Sequence, residues 1–337
     1  MSADPLPEAS PSAPSGTPGD KPAPAPAAAP VRVSGMRVGV GLLLGVVAVL
    51  VILLDGILGQ KVAFRSAAPG TGLLIALLSA AALRELYALL AAAGIPSHAG
   101  WGALASFSIL ALRALLPAAG IRPGDAEAFA WTALALAAVL PVAGIVGFRP
   151  EADAERPSGP GPASAEALRP VAGTALGLLL VHLPMALLLE LRLVPAVPSM
   201  ASSIPAGLAL ATMAVLACKA GDSAAYFVGR TVGRRPLCWV SPKKTWEGAI
   251  AGAAAGTVAA GLLGGACGLP LPVGLGFGLA ANLAGQGGDL LESWLKRCCG
   301  AKDSGDTFGE MGGALDLVDA LLLAGPAAYL FHRVVIG

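Results

Sequence analysis

Residues 285–319 read GQGGDLLESWLKRCCGAKDSGDTFGEMGGALDLVD and lie between two strongly apolar segments. Ten charged side chains, from Asp289 to Asp319, are packed into this stretch of a chain that elsewhere hardly tolerates charge. Charged residues make up 13% of the sequence and hydrophobic ones 55%, with a mean hydropathy of +0.74. A soluble domain carries about 25% charged residues. Several stretches exceed the roughly 18 apolar residues that mark a membrane span. The expected fold is all-α, a polytopic integral membrane protein of about nine transmembrane helices. Ionisable groups this close to hydrocarbon are costly and point to function.

Outward from that stretch, the nine apolar segments fall at about 38–58, 71–94, 101–120, 128–147, 171–190, 201–220, 247–268, 272–295 and 313–333. Leu-Pro-Leu-Pro at 269–272 reads as a tight turn between antiparallel helices. Residues 1–33, rich in Pro, Ala and Ser, cannot bury enough surface to offset their ordering and read as a disordered tail. They lack the basic start and short apolar core of a secretory signal. The chain thus divides into the tail, N-terminal transmembrane helices over 34–200, and a C-terminal region over 201–337 that carries the chemistry. With nine spans, fifteen of the 22 lysines and arginines fall on the side of the tail, five on the other, and Arg84 and Arg113 inside spans. The positive-inside rule places the tail and the polar loops 219–246 and 296–312 in the cytoplasm.

Several classes are excluded. The net charge of +1 and the lack of a basic, aromatic-rich patch give no sign of nucleic acid binding. No CxxC occurs among Cys218, Cys238, Cys267, Cys298 and Cys299, and the three histidines lie far apart, so neither a structural zinc nor a disulfide framework is expected. A P-loop and a kinase signature are also missing.

Helical spacing then organises the charges. In DLLESWLKR, Asp289, Glu292, Ser293, Lys296 and Arg297 fall on one helix face. Carboxylates, a hydroxyl and two cations over two turns suit a divalent ion and its phosphate ligands, since magnesium takes oxygen ligands from carboxylates and phosphate together. Asp316 and Asp319 share a face at the start of the last apolar segment, where the alternative reading is simple helix capping. Gly312 and Gly313 let the preceding backbone approach a ligand. Upstream, Asp222, Tyr226 and Arg230 are four apart on a possible helical extension, and Arg234, Arg235, Lys243 and Lys244 add cations suited to phosphates or to anionic lipid. Gly248, Gly252, Gly256 and Ala260 form a small-residue stripe for close helix packing. Arg84, Glu85, Arg113 and Glu190 inside spans fit either buried polar contacts or snorkelling.

These motifs resemble the membrane-embedded phosphatidate cytidylyltransferases. That family's pattern of Ser, two residues, Lys-Arg, four residues, Lys-Asp, a small residue, a glycine pair and two spaced acids falls on Ser293, Lys296, Arg297, Lys302, Asp303, Gly305, Gly312, Gly313, Asp316 and Asp319. SPKKTWEG and the run from Asp222 to Arg230 are similarly familial. Met311 and Leu317 depart, standing where the family has His and Arg.

The resemblance implies transfer of CMP from CTP to phosphatidic acid, giving CDP-diacylglycerol and pyrophosphate. It implies Asp289 and Asp316 as ligands of Mg2+ with K+ sharing the site, and to these we add Asp222 and Asp319 as expected supports. Ser293, Lys296, Arg297, Lys302 and Asp303 would be catalytic, and Lys243, Lys244, Arg230, Tyr226, Gly312 and Gly313 substrate-binding. The setting implied is the cell inner membrane, with the site and N-terminus cytoplasmic and a homodimer as the expected assembly. Three alternatives stay open: a CTP-dependent polyprenol- or phytol-type lipid kinase, an inactive paralogue, and a cation transporter. The last predicts acids spread through the membrane depth rather than gathered at one face with Lys and Arg.

Overall fold

The computed structural model describes residues 50–51, 54–55, 68–119, 162–200, 202, 204–305, 307–309 and 312–337. The tail at 1–33, the expected span 128–147, most of 38–58 and Met311 lie outside the described residues. In chain order the helices are α1 (Pro69–Ala92), α2 (Ala99–Leu115), α3 (Pro162–Gly177), α4 (Leu183–Arg192), α5 (Ala206–Val232), α6 (Trp246–Ala266), α7 (Leu271–Cys298), α8 (Ala314–Val318) and α9 (Leu321–Phe331). A π turn, Leu178–His182, joins α3 to α4, and a second, His332–Ile336, follows α9. No strand occurs among the described residues; Pro236 and Thr245 form an isolated antiparallel bridge.

Five helical segments are long and apolar enough to cross a bilayer: Pro69–Ala92, Leu168–Arg192, Ala206–Val232, Trp246–Ala266 and Ala314–Ile336. The expected count of nine is therefore not reached among the described residues. Segment 128–147 and most of 38–58 fall outside them, and α2 has only 17 residues. The eighth segment fails for a different reason. α7 is 28 residues long, but its many glycines with Asn282 and Gln286 dilute its apolarity. It packs against α5, α6 and α9 instead of facing lipid all round.

Small residues decide how closely α5, α6 and α7 approach. The stripe on α6 lies against α5 carbonyls spaced in the same register. A Cβ on Gly248 would stand 2.7 Å from the Ala225 oxygen, and one on Gly252 2.8 Å from the Gly221 oxygen. Gly256 makes room for Asn282, whose amide donates to the Ala217 oxygen at 2.7 Å, and Gln286 donates to Asn282 at 2.8 Å and to the Ala249 oxygen at 3.1 Å. Without a hydrophobic drive between helices in lipid, this packing and these bonds hold the three together.

The N-terminal helices form a second packed region around Leu83, Leu86, Tyr87 and Leu189. Several of its polar groups find partners within it, as a low-dielectric setting favours. Arg113 donates to both oxygens of Glu190 at 2.6 and 2.7 Å, which settles these two as a largely buried pair. Buried Asp55 accepts from the Gly70 and Thr71 amides at 3.0 and 2.6 Å, capping α1 from outside the helix. Arg84 is exposed, whereas Glu85 is buried.

Gly252→Leu should lower the thermal midpoint of detergent-solubilised protein by roughly 2–5 °C, since overpacking costs about 1–3 kcal/mol. Gly265 is the control, because a Cβ there would meet nothing within 4 Å; Gly265→Leu should leave the midpoint unchanged.

Candidate active site

α5 runs on to Val232, so Asp222, Tyr226 and Arg230 project from one face over two turns. The chain then turns back through a short hairpin, held by Leu237 N–H to the Lys244 oxygen at 2.7 Å and Trp246 N–H to the Arg235 oxygen at 3.0 Å. Thr245 caps α6 by accepting the Gly248 amide at 3.2 Å. Lys243 and Lys244 are thereby placed beside α5 and α7. A cavity of about 470 Å³ opens there, lined by Asp222, Tyr226, Arg230, Lys243, Lys244 and Asp289 among others. Arg230 also donates to the Tyr226 hydroxyl at 2.8 Å.

α7 continues through DLLESWLKR to Cys298, placing Asp289, Glu292 and Lys296 on its inner side. Gly285 and Gly288 let the Asp319–Ala320 turn between α8 and α9 approach α7; a Cβ on Gly288 would stand 3.1 Å from the Ala320 oxygen. The approach gathers Asp289, Glu292 and Asp319, each offering a carboxylate oxygen within 4.8 Å of the other two. Lys244 forms an ion pair with Asp289. Lys296 bridges Glu292 at 2.7 Å and Asp316 at 2.8 Å.

Asp316 and Asp222 stand outside the three-acid group. Asp316 is occupied on both oxygens, by Lys296 and by the Gly313 amide at 2.9 Å, so the capping reading describes part of its work. Asp222 lies across the cavity, 3.6 Å from Lys219. Ser293 is half-buried on α7 beside the acids, Arg297 is exposed with a bond to the Ala301 oxygen, and Lys302 and Asp303 are exposed in the following loop. Among the described residues, no ion pair joins Lys302 or Asp303 to the cluster. Gly312, at φ +99°, donates its amide to the Gly309 oxygen at 3.1 Å, and Gly309 stands at φ +59°, a backbone that favours glycine at both positions. Leu317 is half-buried on α8.

In the sequence Glu292 stands out only as one member of a helical face, its three-residue offset from Asp289 being the available signal. In the structure it is 1% exposed, and its Oε1 atom is buried with no hydrogen-bond donor. A buried carboxylate oxygen without a donor is costly. With Asp289 and Asp319 beside it, a hard divalent cation would satisfy all three. The residues present therefore fit Mg2+.

The molecule is thus an all-helical membrane protein whose polar end joins an acid cluster to a cation-lined cavity. Residues 36–335 match the cytidylyltransferase family, and the chain belongs to that family. It is 42% identical over 118 residues to a phosphatidate cytidylyltransferase of Brucella suis, covering 34% of this chain and 43% of the relative. A chloroplastic phosphatidate cytidylyltransferase of Arabidopsis thaliana is 40% identical over 116 residues, covering 34% and 29%. One from Synechocystis is 35% identical over 133 residues, covering 38% and 45%. The matched stretches thus span less than half the length of each of these relatives.

Lys296→Met removes the cation between Glu292 and Asp316. Breaking a buried pair costs roughly 3 kcal/mol, and a thermal melt should show it. Adding Glu292→Gln to that variant should recover part of the loss, the mark of direct coupling.

Proposed function

We propose that this protein transfers CMP from CTP to phosphatidic acid. Support comes from family membership, from the relatives' names, and above all from one observation. A cavity large enough for a nucleotide is walled by Arg230, Lys243 and Lys244 and floored by Asp289 of the acid cluster. Triphosphate and metal sites thus share a residue and a wall.

In the reaction an ionised phosphatidate oxygen attacks the α-phosphorus of CTP. The bond from that phosphorus to the bridging oxygen of the β-phosphate breaks, and its electron pair leaves with pyrophosphate. No proton need be removed from the nucleophile, so the chain's task is positioning and charge neutralisation. Lys243, Lys244 and Arg230 would grip phosphates, the arginine fork in bidentate fashion. Asp289, Glu292 and Asp319 would hold Mg2+, with Asp316 keeping Lys296 against Glu292. When bound, the ion offsets charge building on the phosphoryl oxygens and leaving group. K+ as a second cation belongs to the same reading. Basic residues cluster at the polar end of α5 and the hairpin after it (219–246) and at the end of α7 and the loop after it (296–302), so the positive-inside rule puts the site on the cytoplasmic face, in a bacterial setting the inner membrane.

The test is product identity in purified protein with Mg2+. Label in the α-phosphate of CTP should enter lipid, whereas a lipid kinase would transfer only γ-label. Asp289→Ala should cut lipid labelling by about 100-fold or more, and full activity in that variant would remove the site assignment. Replacing Met311 by His together with Leu317 by Arg should change the rate little. A gain of about 10²-fold, the scale of general acid–base catalysis, would show that the wild-type chain is a weakened enzyme lacking a needed proton-transfer group.

A further inference from the structure

The residue that precedes α8 at its N-cap is Gly313, which has no side chain to cap it. The first four amides of a helix have no partner within it, and among packed apolar helices water is not there to serve them. Glu85, from α1, takes up this deficit from more than two hundred residues away. Its Oε1 accepts the Ala314 amide at 2.9 Å and its Oε2 the Leu315 amide at 2.8 Å. Thr307 donates to Oε1, and Ser304 to Oε2 at 3.5 Å. Glu85 is 7% exposed and enters no ion pair among the described residues. Four donors, two of them main-chain, stand in for a cation.

Gly305 and Gly313 make room for it. A Cβ on Gly305 would lie 2.8 Å from Glu85 Oε1, and one on Gly313 would overlap the same carboxylate. With Ala314 and Leu315 served, the Asp316 carboxylate is left to take only the Gly313 amide and Lys296. Lys296 is thereby held off Glu292 Oε1, and Asp319, one turn on from Asp316, faces Asp289.

We propose that Glu85 is a positioning residue of the active site, a cap supplied in trans that sets α8 so that Asp319 and Glu292 present a complete cation site. This rests on the reading of Asp289, Glu292 and Asp319 as metal ligands. The N-terminal helices are then part of the catalytic construction rather than a membrane anchor for it.

The test compares wild type, Glu85→Gln and Glu190→Gln in detergent, with Mn2+ as probe and its affinity read by electron paramagnetic resonance. The Glu190 variant disturbs a different buried pair in the same N-terminal region, that of Glu190 with Arg113 of α2. Mn2+ binding should weaken at least tenfold in Glu85→Gln and less than twofold in Glu190→Gln, with the far-ultraviolet helical signal retained in both. Equal affinity in wild type and Glu85→Gln, or equal weakening in both variants, overturns the proposal. Should Glu85→Gln fail to fold, Thr307→Val removes one donor to the same carboxylate and should weaken Mn2+ about threefold; wild-type affinity there overturns it as well. A wild type that binds Mn2+, loses it selectively in Glu85→Gln, yet labels no lipid from CTP would sink the proposed activity and leave this inference standing. A wild type that binds no Mn2+ sinks this one.

Discussion

Three carboxylates brought within 4.8 Å of each other at one end of an apolar bundle is the constraint on which this structure turns. Like charges at that spacing repel strongly wherever water is scarce. The chain meets the cost with two lysines: Lys244 on Asp289 from the hairpin side, and Lys296 between Glu292 and Asp316 from within α7. Neither lysine reaches Glu292 Oε1, and a bound cation would serve the atom that the ion network leaves without a partner.

Assembling the cluster requires helices closer than ordinary side chains permit. Glycines on α6 admit the carbonyls of α5, and glycines on α7 admit the turn carrying Asp319. The polar bonds of Asn282 and Gln286 then lock α7 to α5 and α6 two turns and one turn before Asp289, respectively. Glycines and amides in place of larger apolar side chains also make α7 too polar to read as an ordinary span. Its unusual composition and its central place have one cause. A similar economy runs through the helix ends: α1 and α8 are each capped by an acid from another part of the chain, Asp55 and Glu85, because neither Ala68 nor Gly313 can do it.

Much of this was legible in the sequence because local periodicity carried it. The helical register of DLLESWLKR placed Asp289, Glu292 and Lys296 together, and the four-residue spacing from Asp222 to Arg230 anticipated the wall of the cavity. The glycine stripe on α6 was readable for the same reason. Long-range pairing was not. Nothing in the residues near Glu85 indicates that its partners are the Ala314 and Leu315 amides, and only the fold shows that Asp319, not Asp316, joins Asp289 and Glu292. The number of spans was less legible: among the described residues five helices are long and apolar enough to cross, α2 having only 17 residues and α7 being diluted by glycine and amide side chains.

The most direct measurement is a structure determined with Mn2+ and a non-hydrolysable CTP analogue, locating the ion by its anomalous signal. One ion should be bonded to oxygens of Asp289, Glu292 and Asp319 at about 2.1 Å, with the analogue's phosphates against Lys243 and Lys244. An ion bound away from Glu292, or a nucleotide outside the cavity between α5 and α7, would contradict that arrangement.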